Sequence, residues 1–274
     1  MAFVPENVPL SLAHLSELDV PPLALVELAA RAGFASIGLR TSPASPGGVE
    51  YPLRSAAEQA EMRRRLAANG IKVLEVEMVP LSAATRVSDY KPMIETGAAI
   101  GASRLTVGGD SADFALVAER LAEMAELAQP YGIAVDLEFM PFRAVQSLAH
   151  AVEVVKRARH PNAHILIDAL HVFRSGTSPA EFAQIDPTML GPCQLCDAPA
   201  QAPPADALVV EARTRRLLPG AGQLALDALL DALPDGIALG IEVPLAGQRP
   251  DLDPGARLAL LVKSTREFLQ RRSA

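Results

Sequence analysis

Eight short apolar runs, each followed by an amphipathic or loop-like stretch, recur along the 274 residues, and this alternation constrains the fold more than any other feature. The spacing predicts strands over Val8–Leu12, Ser36–Arg40, Lys72–Met78, Arg104–Gly108, Ile133–Glu138, His164–Asp168, Pro192–Cys196 and Ile237–Val243. Helical patterns are expected over Pro21–Arg31, Ser55–Ala68, Asp89–Ile100, Asp113–Gln129, Ala144–Arg157, Leu224–Leu233 and Ala256–Arg271. In the fourth, Phe114, Val117, Leu121, Met124 and Ala128 share one face, with Glu119, Arg120, Glu123 and Glu126 off it. Glycines at 70, 101 and 132 stop helices just before the next strand. Eight βα units in this length match an α/β fold of the (β/α)8 TIM barrel type, a single domain over residues 1–274. A doubly wound sheet would carry a glycine-rich turn after its first strand, where this chain has Ala13-His14-Leu15-Ser16.

Composition narrows the classes of function. With 25 Lys+Arg against 32 Asp+Glu the net charge is −7, which argues against a nucleic-acid partner. Two cysteines rule out a disulfide scaffold, and no apolar run reaches a membrane span. The N-terminal heptapeptide has neither the charged nor the apolar region of a signal peptide, so a cytoplasmic location is expected.

Residues at the C-terminal ends of barrel strands reach the face where barrel enzymes keep their chemistry. Glu138, Asp168 and Glu242 each close an apolar run at that point, and Gln194 lies near the end of the seventh strand. One such acid is ordinarily a helix cap or a solvated residue. Three converging on one opening would repel one another unless a cation or protons compensate, and a divalent metal supplies that charge. Arg40, Arg143 and Arg216 fall at or just beyond strand ends and would suit an anionic substrate, the alternative being ion-paired surface arginines. His14 could line the same pocket or be an ordinary polar strand-end residue. Glu75, Glu77 and Asp136 share inward parity and could support the metal or form an interior polar network. His164 opens its strand at the opposite end, and Cys193 and Cys196 read as core thiols. The stretches Thr41–Pro52 and Ala198–Leu218 are long loops on the active face and candidate lids.

Glu138, Asp168 followed by His171, the Gln194-Leu-Cys-Asp197 segment, Arg216-Leu-Leu-Pro-Gly-Ala-Gly222 and Glu242 together resemble the sugar phosphate isomerase/epimerase family, the xylose isomerase-like TIM barrels. The likeness implies one divalent metal held by Glu138, Asp168, position 194 and Glu242, with His171 and Arg216 on the substrate. The family's usual histidine is Gln194 here, and an all-oxygen donor set favours Mn²⁺ or Mg²⁺ over zinc. Glutamine at this place is similar to the 3-dehydroshikimate dehydratase branch, but the histidine-containing stretch of that branch is replaced by Glu211-Ala-Arg-Thr-Arg-Arg216. Strand two also ends in Arg40, where the family often carries an acid.

The expected chemistry is proton abstraction beside the carbonyl of a sugar-like or cyclic hydroxyketo substrate, with Glu138 and Glu242 as catalytic acid and base. Isomerisation or epimerisation leads. Dehydration of the 3-dehydroshikimate or inosose type uses the same constellation, and a non-catalytic sugar-binding barrel is a further alternative. An abasic-site endonuclease would need more histidines than the five present and a basic groove. Barrels of this kind often assemble as a homodimer or homotetramer, and no residue pattern fixes the number.

Overall fold

Eight parallel strands pair in sequence order and close into a barrel, β1 against β8. The computed structural model describes residues 8–45 and 47–272, so the N-terminal heptapeptide lies outside the described residues. The strands are β1 Leu10–Leu12, β2 Ser36–Arg40, β3 Lys72–Leu81, β4 Arg104–Gly109, β5 Ala134–Glu138, β6 Ala163–Asp168, β7 Leu190–Leu195 and β8 Leu239–Ile241. Around them lie helices α1 Pro22–Ala32, α2 Ala56–Asn69, α3 Lys91–Ala99, α4 Phe114–Ala128, α5 Leu148–Ala158, α6 Ala169–Arg174, α7 Leu208–Thr214, α8 Leu226–Ala232 and α9 Pro254–Arg272. Among the described residues no helix is long and apolar enough to cross a membrane.

The periodicity places the helices because each buries the face it predicts. On α4, Val117, Leu121, Met124 and Ala128 are buried, while Phe114 stays half-buried beside the His150 ring. Each buried aliphatic side chain of this size contributes about 2 kcal/mol relative to exposure. Asp113 caps α4 by accepting from the backbone N–H groups of Ala115 and Leu116, and Ser55 with Glu58 forms a capping box on α2.

Two differences from the expected elements have physical causes. Strand β3 continues three residues past Met78, through Pro80 to Leu81. Proline lacks an N–H, yet it is tolerated here because the β3–β4 register shifts between Val76 and Val79. The structure adds two short helices where the sequence pattern marks none, α6 of six residues and α7 of seven, each too short to show a clear 3.6-residue stripe. Asp168 caps α6 through the His171 N–H, so the capping role of a strand-end acid is real here and coexists with its place in the cavity floor.

The connection after β7 is not slack. The buried carboxylate of Asp197 accepts from the backbone N–H groups of Ala198 (2.8 Å), Gly220 (3.1 Å), Gly222 (2.9 Å) and Leu224 (3.0 Å). Asp197 also pairs through its backbone with Leu217, the neighbour of Arg216. Gly222 is required because a Cβ there would lie 2.4 Å from the Ala198 carbonyl and from Asp197 Oδ1. Hydrogen bonds to a charged group each contribute about 1.5–3 kcal/mol, and Asp197→Ala orphans four donors. The variant should lose about 3 kcal/mol or more in urea unfolding, and a loss below about 1 kcal/mol would show that the turn stands without it.

Candidate active site

The C-terminal mouth of the barrel holds a cavity of about 170 Å³ lined by Arg40, Glu77, Glu138, Arg143, His171, Arg216 and Glu242, among others. Strand register brings the acids together. Glu138 ends β5 opposite Leu166, Asp168 on β6 pairs with Gln194 on β7, and Gln194 pairs with Gly240 on β8. Glu242 follows β8 directly and prolongs the ladder through its N–H to Leu195 O at 3.1 Å.

Charge dominates this floor. Glu77, Glu138, Asp168 and Glu242 are all buried, against the guanidiniums of Arg40 and Arg216. Arg216, 1% exposed, donates from Nη1 to Asp168 at 2.5 Å and from Nε to Ala212 O at 2.7 Å, and its Nη2 pairs with Glu242 at 2.7 Å. Arg40 pairs with Glu77 at 3.2 Å. Among the described residues, Glu138, Asp168 and His171 offer ligand atoms that all lie within 4.8 Å of one another. His171 Nε2 is 3.6 Å from Glu138 Oε1, and Phe142 meets its ring edge-on at 5.4 Å.

These neighbours separate the acidities. Burial, together with Glu242 and Asp168, pushes the Glu138 carboxyl well above the usual carboxylate range. Burial raises Glu242 to about 8, against the opposing pull of Arg216. Burial works the same way on Asp168, but Arg216 outweighs it and holds that group at about 2. His171 falls to about 4 through burial and is neutral at pH 7.

The sequence-predicted residues therefore divide. Glu138, Glu242, His171, Arg216 and Arg40 line one cavity, with Asp168 bonded to Arg216 at its floor. Arg143 also lines it and pairs with Asp110. His14 is not brought there. It is fully buried, its Nδ1 accepts the Arg40 N–H at 2.9 Å, and its Nε2 meets Val20 O at 3.0 Å. Both ring nitrogens are occupied by backbone, which makes His14 a brace for the β2 end. Gln194 is buried, with Nε2 donating to Glu75 Oε1 at 3.2 Å and Oε1 without a hydrogen-bond partner among the described residues. The free thiols of Cys193 and Cys196 are buried, which raises both, Cys196 to about 12.

Sequence reasoning missed Asp197 as the anchor of the Arg216 loop, although the Asp-to-Pro-Gly-x-Gly pairing was visible. It also left Ala212 and Arg213 unassigned. Both line the cavity from α7, and residues 44, 45, 48 and 49 line it from the loop after β2, so both long loops do border the opening.

With this geometry in place, the comparisons with known proteins define its class. The xylose isomerase-like TIM barrel family matches residues 26–268, and the chain belongs to it. The inosose isomerase of Bacillus subtilis (strain 168) is 26% identical over 157 residues, 54% of this chain and 55% of that relative. The chain thus matches about half the length of that curated relative. Among solved structures, the IOLI protein with a binding zinc atom superposes with a TM-score of 0.78 at 19% identity, covering 96% of this chain and 99% of that one. The probable 3-DHS dehydratase AsbF from Bacillus anthracis superposes with a TM-score of 0.73 at 18% identity, covering 93% and 98%. Identities this low establish a shared barrel.

The acidities predict a pH dependence of stability. A carboxyl raised in the folded state keeps its proton there while the unfolded chain releases one, so stability falls as pH rises between the two values. His171, at about 4 folded, acts with the opposite sign only below its ordinary value of 6.5. Between pH 6.5 and 8 the terms left are Glu138, Glu242 and Glu75, the last pushed by burial and Glu77 to about 7. The Tm of chelator-treated protein should fall across that interval, and a divalent cation should flatten the slope. A Tm that rises from pH 6.5 to 8 without metal would contradict this electrostatic account.

Proposed function

We propose that this chain is an isomerase or epimerase that removes a proton from the carbon beside the carbonyl of a small polyhydroxylated compound, and that it works with one divalent metal ion, Mg²⁺ or Mn²⁺. The observation that carries this reading is the pair Glu138 and Glu242, buried at the C-terminal ends of β5 and β8 beside one cavity, both with raised pKa values. Carboxyl groups tuned upward in this way are suited to general acid and base work near neutral pH.

The residues fit a metal. Four buried carboxyls face two buried guanidiniums, which leaves two negative charges when all are ionised. Glu138, Asp168, Gln194 and Glu242 would hold the ion, and the buried, unpartnered Oε1 of Gln194 is an acceptor in want of a positive partner. Such an all-oxygen set suits a hard cation. When bound, the metal would supply Lewis-acid stabilisation of negative charge on a substrate oxygen.

The chain's own groups then have separable tasks. Glu138 takes the proton. Glu242 returns one, to the opposite face of the same carbon for epimerisation or to the neighbouring carbon for isomerisation. Asp168, held near 2, stays ionised and serves as neither acid nor base. Neutral His171 offers a hydrogen bond to a substrate hydroxyl, and Arg216 keeps Asp168 and Glu242 in place. A second reading, loss of a β-hydroxyl as water, draws on the same pair, since the carboxyl that has taken the proton beside the carbonyl can hand it to the departing hydroxide. The enzyme names carried by the relatives, inosose isomerase and 3-DHS dehydratase, lend support to both outcomes.

The test is NMR in D2O with Mg²⁺ and a panel of ketoses, inososes and cyclic hydroxyketo acids. Deuterium entering a substrate or its isomer is the expected result, and an unsaturated product would move the protein to the dehydratases. No exchange and no product across the panel would count against the reading. Glu242→Gln should cut turnover by about a hundredfold or more while leaving the unfolding temperature within a few degrees. Retained wild-type activity would remove Glu242 from the mechanism.

A further inference from the structure

Beneath the cavity floor a second polar layer fills the barrel, and one of its members has a task the metal reading does not assign. Glu75 on β3 is 3% exposed. Its Oε2 accepts from Thr106 Oγ1 on β4 at 2.7 Å, and its Oε1 accepts from Gln194 Nε2 on β7 at 3.2 Å. The neighbouring acid of this layer, Asp136, is already held by Arg104 through two hydrogen bonds at 2.5 and 2.6 Å. Space for Glu75 is made on the adjacent strand by its register partner Gly38 of β2, where a Cβ would lie 3.0 Å from the Glu75 Cγ and Oε1.

A carboxamide has two unlike ends, and a ligand at position 194 must present oxygen, because the neutral amide nitrogen has no lone pair to give a metal. Nothing in the amide's shape chooses the end. A neighbour that only accepts, as the ionised carboxylate of Glu75 does, makes the choice, since it can pair with the NH₂ and not with the carbonyl. We propose that Glu75 is a positioning residue that fixes the Gln194 side-chain amide with its nitrogen turned inward and its oxygen left for the metal, so that position 194 acts as an oxygen ligand. The unpartnered, buried Oε1 of Gln194 is the other half of this arrangement. Strand register sets Gln194 between Asp168 and Gly240, two residues before Glu242, in the ring of proposed ligands. The inference rests on the metal reading above and extends it to the group that orients one ligand.

The experiment uses Mn²⁺ alone as probe, with binding read from the EPR signal of the free ion, so activity plays no part. Wild type is measured first. Uptake of one Mn²⁺ per chain supports the metal reading, and no uptake overturns that reading together with the role of Glu75. Glu75→Gln, which can turn either end toward Gln194, should weaken Mn²⁺ binding tenfold or more, as losses of groups behind a metal ligand commonly do. The double variant Glu75→Gln/Gln194→Glu exchanges the amide and the carboxylate. Its ligand is the same at both oxygens and needs no orienting, so affinity should return to within threefold of wild type. Unaltered affinity in Glu75→Gln, or a double variant as weak as the single one, would overturn the role while the metal reading stood. Should Glu75→Gln fail to fold, Glu75→Asp, one methylene short of Gln194, is expected to show the same tenfold loss, and unaltered affinity there would equally overturn it.

Discussion

Placing four carboxyl groups out of water at one end of a barrel is costly unless opposite charge accompanies them, and the cavity is organised around that constraint. Glu77, Glu138, Asp168 and Glu242 meet there, with Arg40 and Arg216 as the buried guanidiniums paired against them. Arg216 serves two at once: it keeps Asp168 ionised, while at Glu242 burial outweighs its pull and raises that group to about 8. In the absence of a further cation the remaining charge is relieved by protons, which the raised pKa values assign to Glu138 and Glu242. One divalent ion would relieve it instead, so metal affinity, acid–base chemistry and stability at neutral pH are linked through the same groups.

The barrel supplies the geometry for this convergence. Parallel strands in register carry alternate side chains inward at matched heights, so acids far apart in sequence arrive at one level. Arg216 comes from outside the strands, on a loop whose shape depends on the four hydrogen bonds to Asp197. Lower in the barrel, Arg104 with Asp136 and Glu75 with Thr106 and Gln194 fill the interior with a hydrogen-bonded layer in place of apolar packing. Such a layer is stable only when its members are satisfied, and the unpartnered Gln194 oxygen is the exception that points toward the cation site.

Much of this could be read from the chain alone. Apolar runs that end on Glu138, Asp168 and Glu242 announce where strands leave the barrel, because the runs are short and their termination is abrupt. Helix α4 was visible through its 3.6-residue stripe, with Asp113 at its start as cap. Other features depend on tertiary placement and leave no local signal. His14 lies just beyond the end of β1, where a pocket residue would, yet both its nitrogens go to backbone, an outcome set by how Val20 and Arg40 pass beside it. The pairing of Arg216 with Asp168 and Glu242 joins residues 48 and 26 positions apart, and the orientation of an amide is invisible in a residue's name. The apolar run bounds the third strand at Met78, and only the shifted register with β4 shows how it continues through Pro80.

The most direct test of the account is the anomalous difference map of a crystal grown with Mn²⁺. The account predicts one peak per chain, bounded by Glu138, Asp168, the Oε1 of Gln194 and Glu242, with Arg216 still against Asp168. A map with no peak at that place, in a crystal grown with excess Mn²⁺, would contradict it and leave the arginines and bound protons to balance the buried acids.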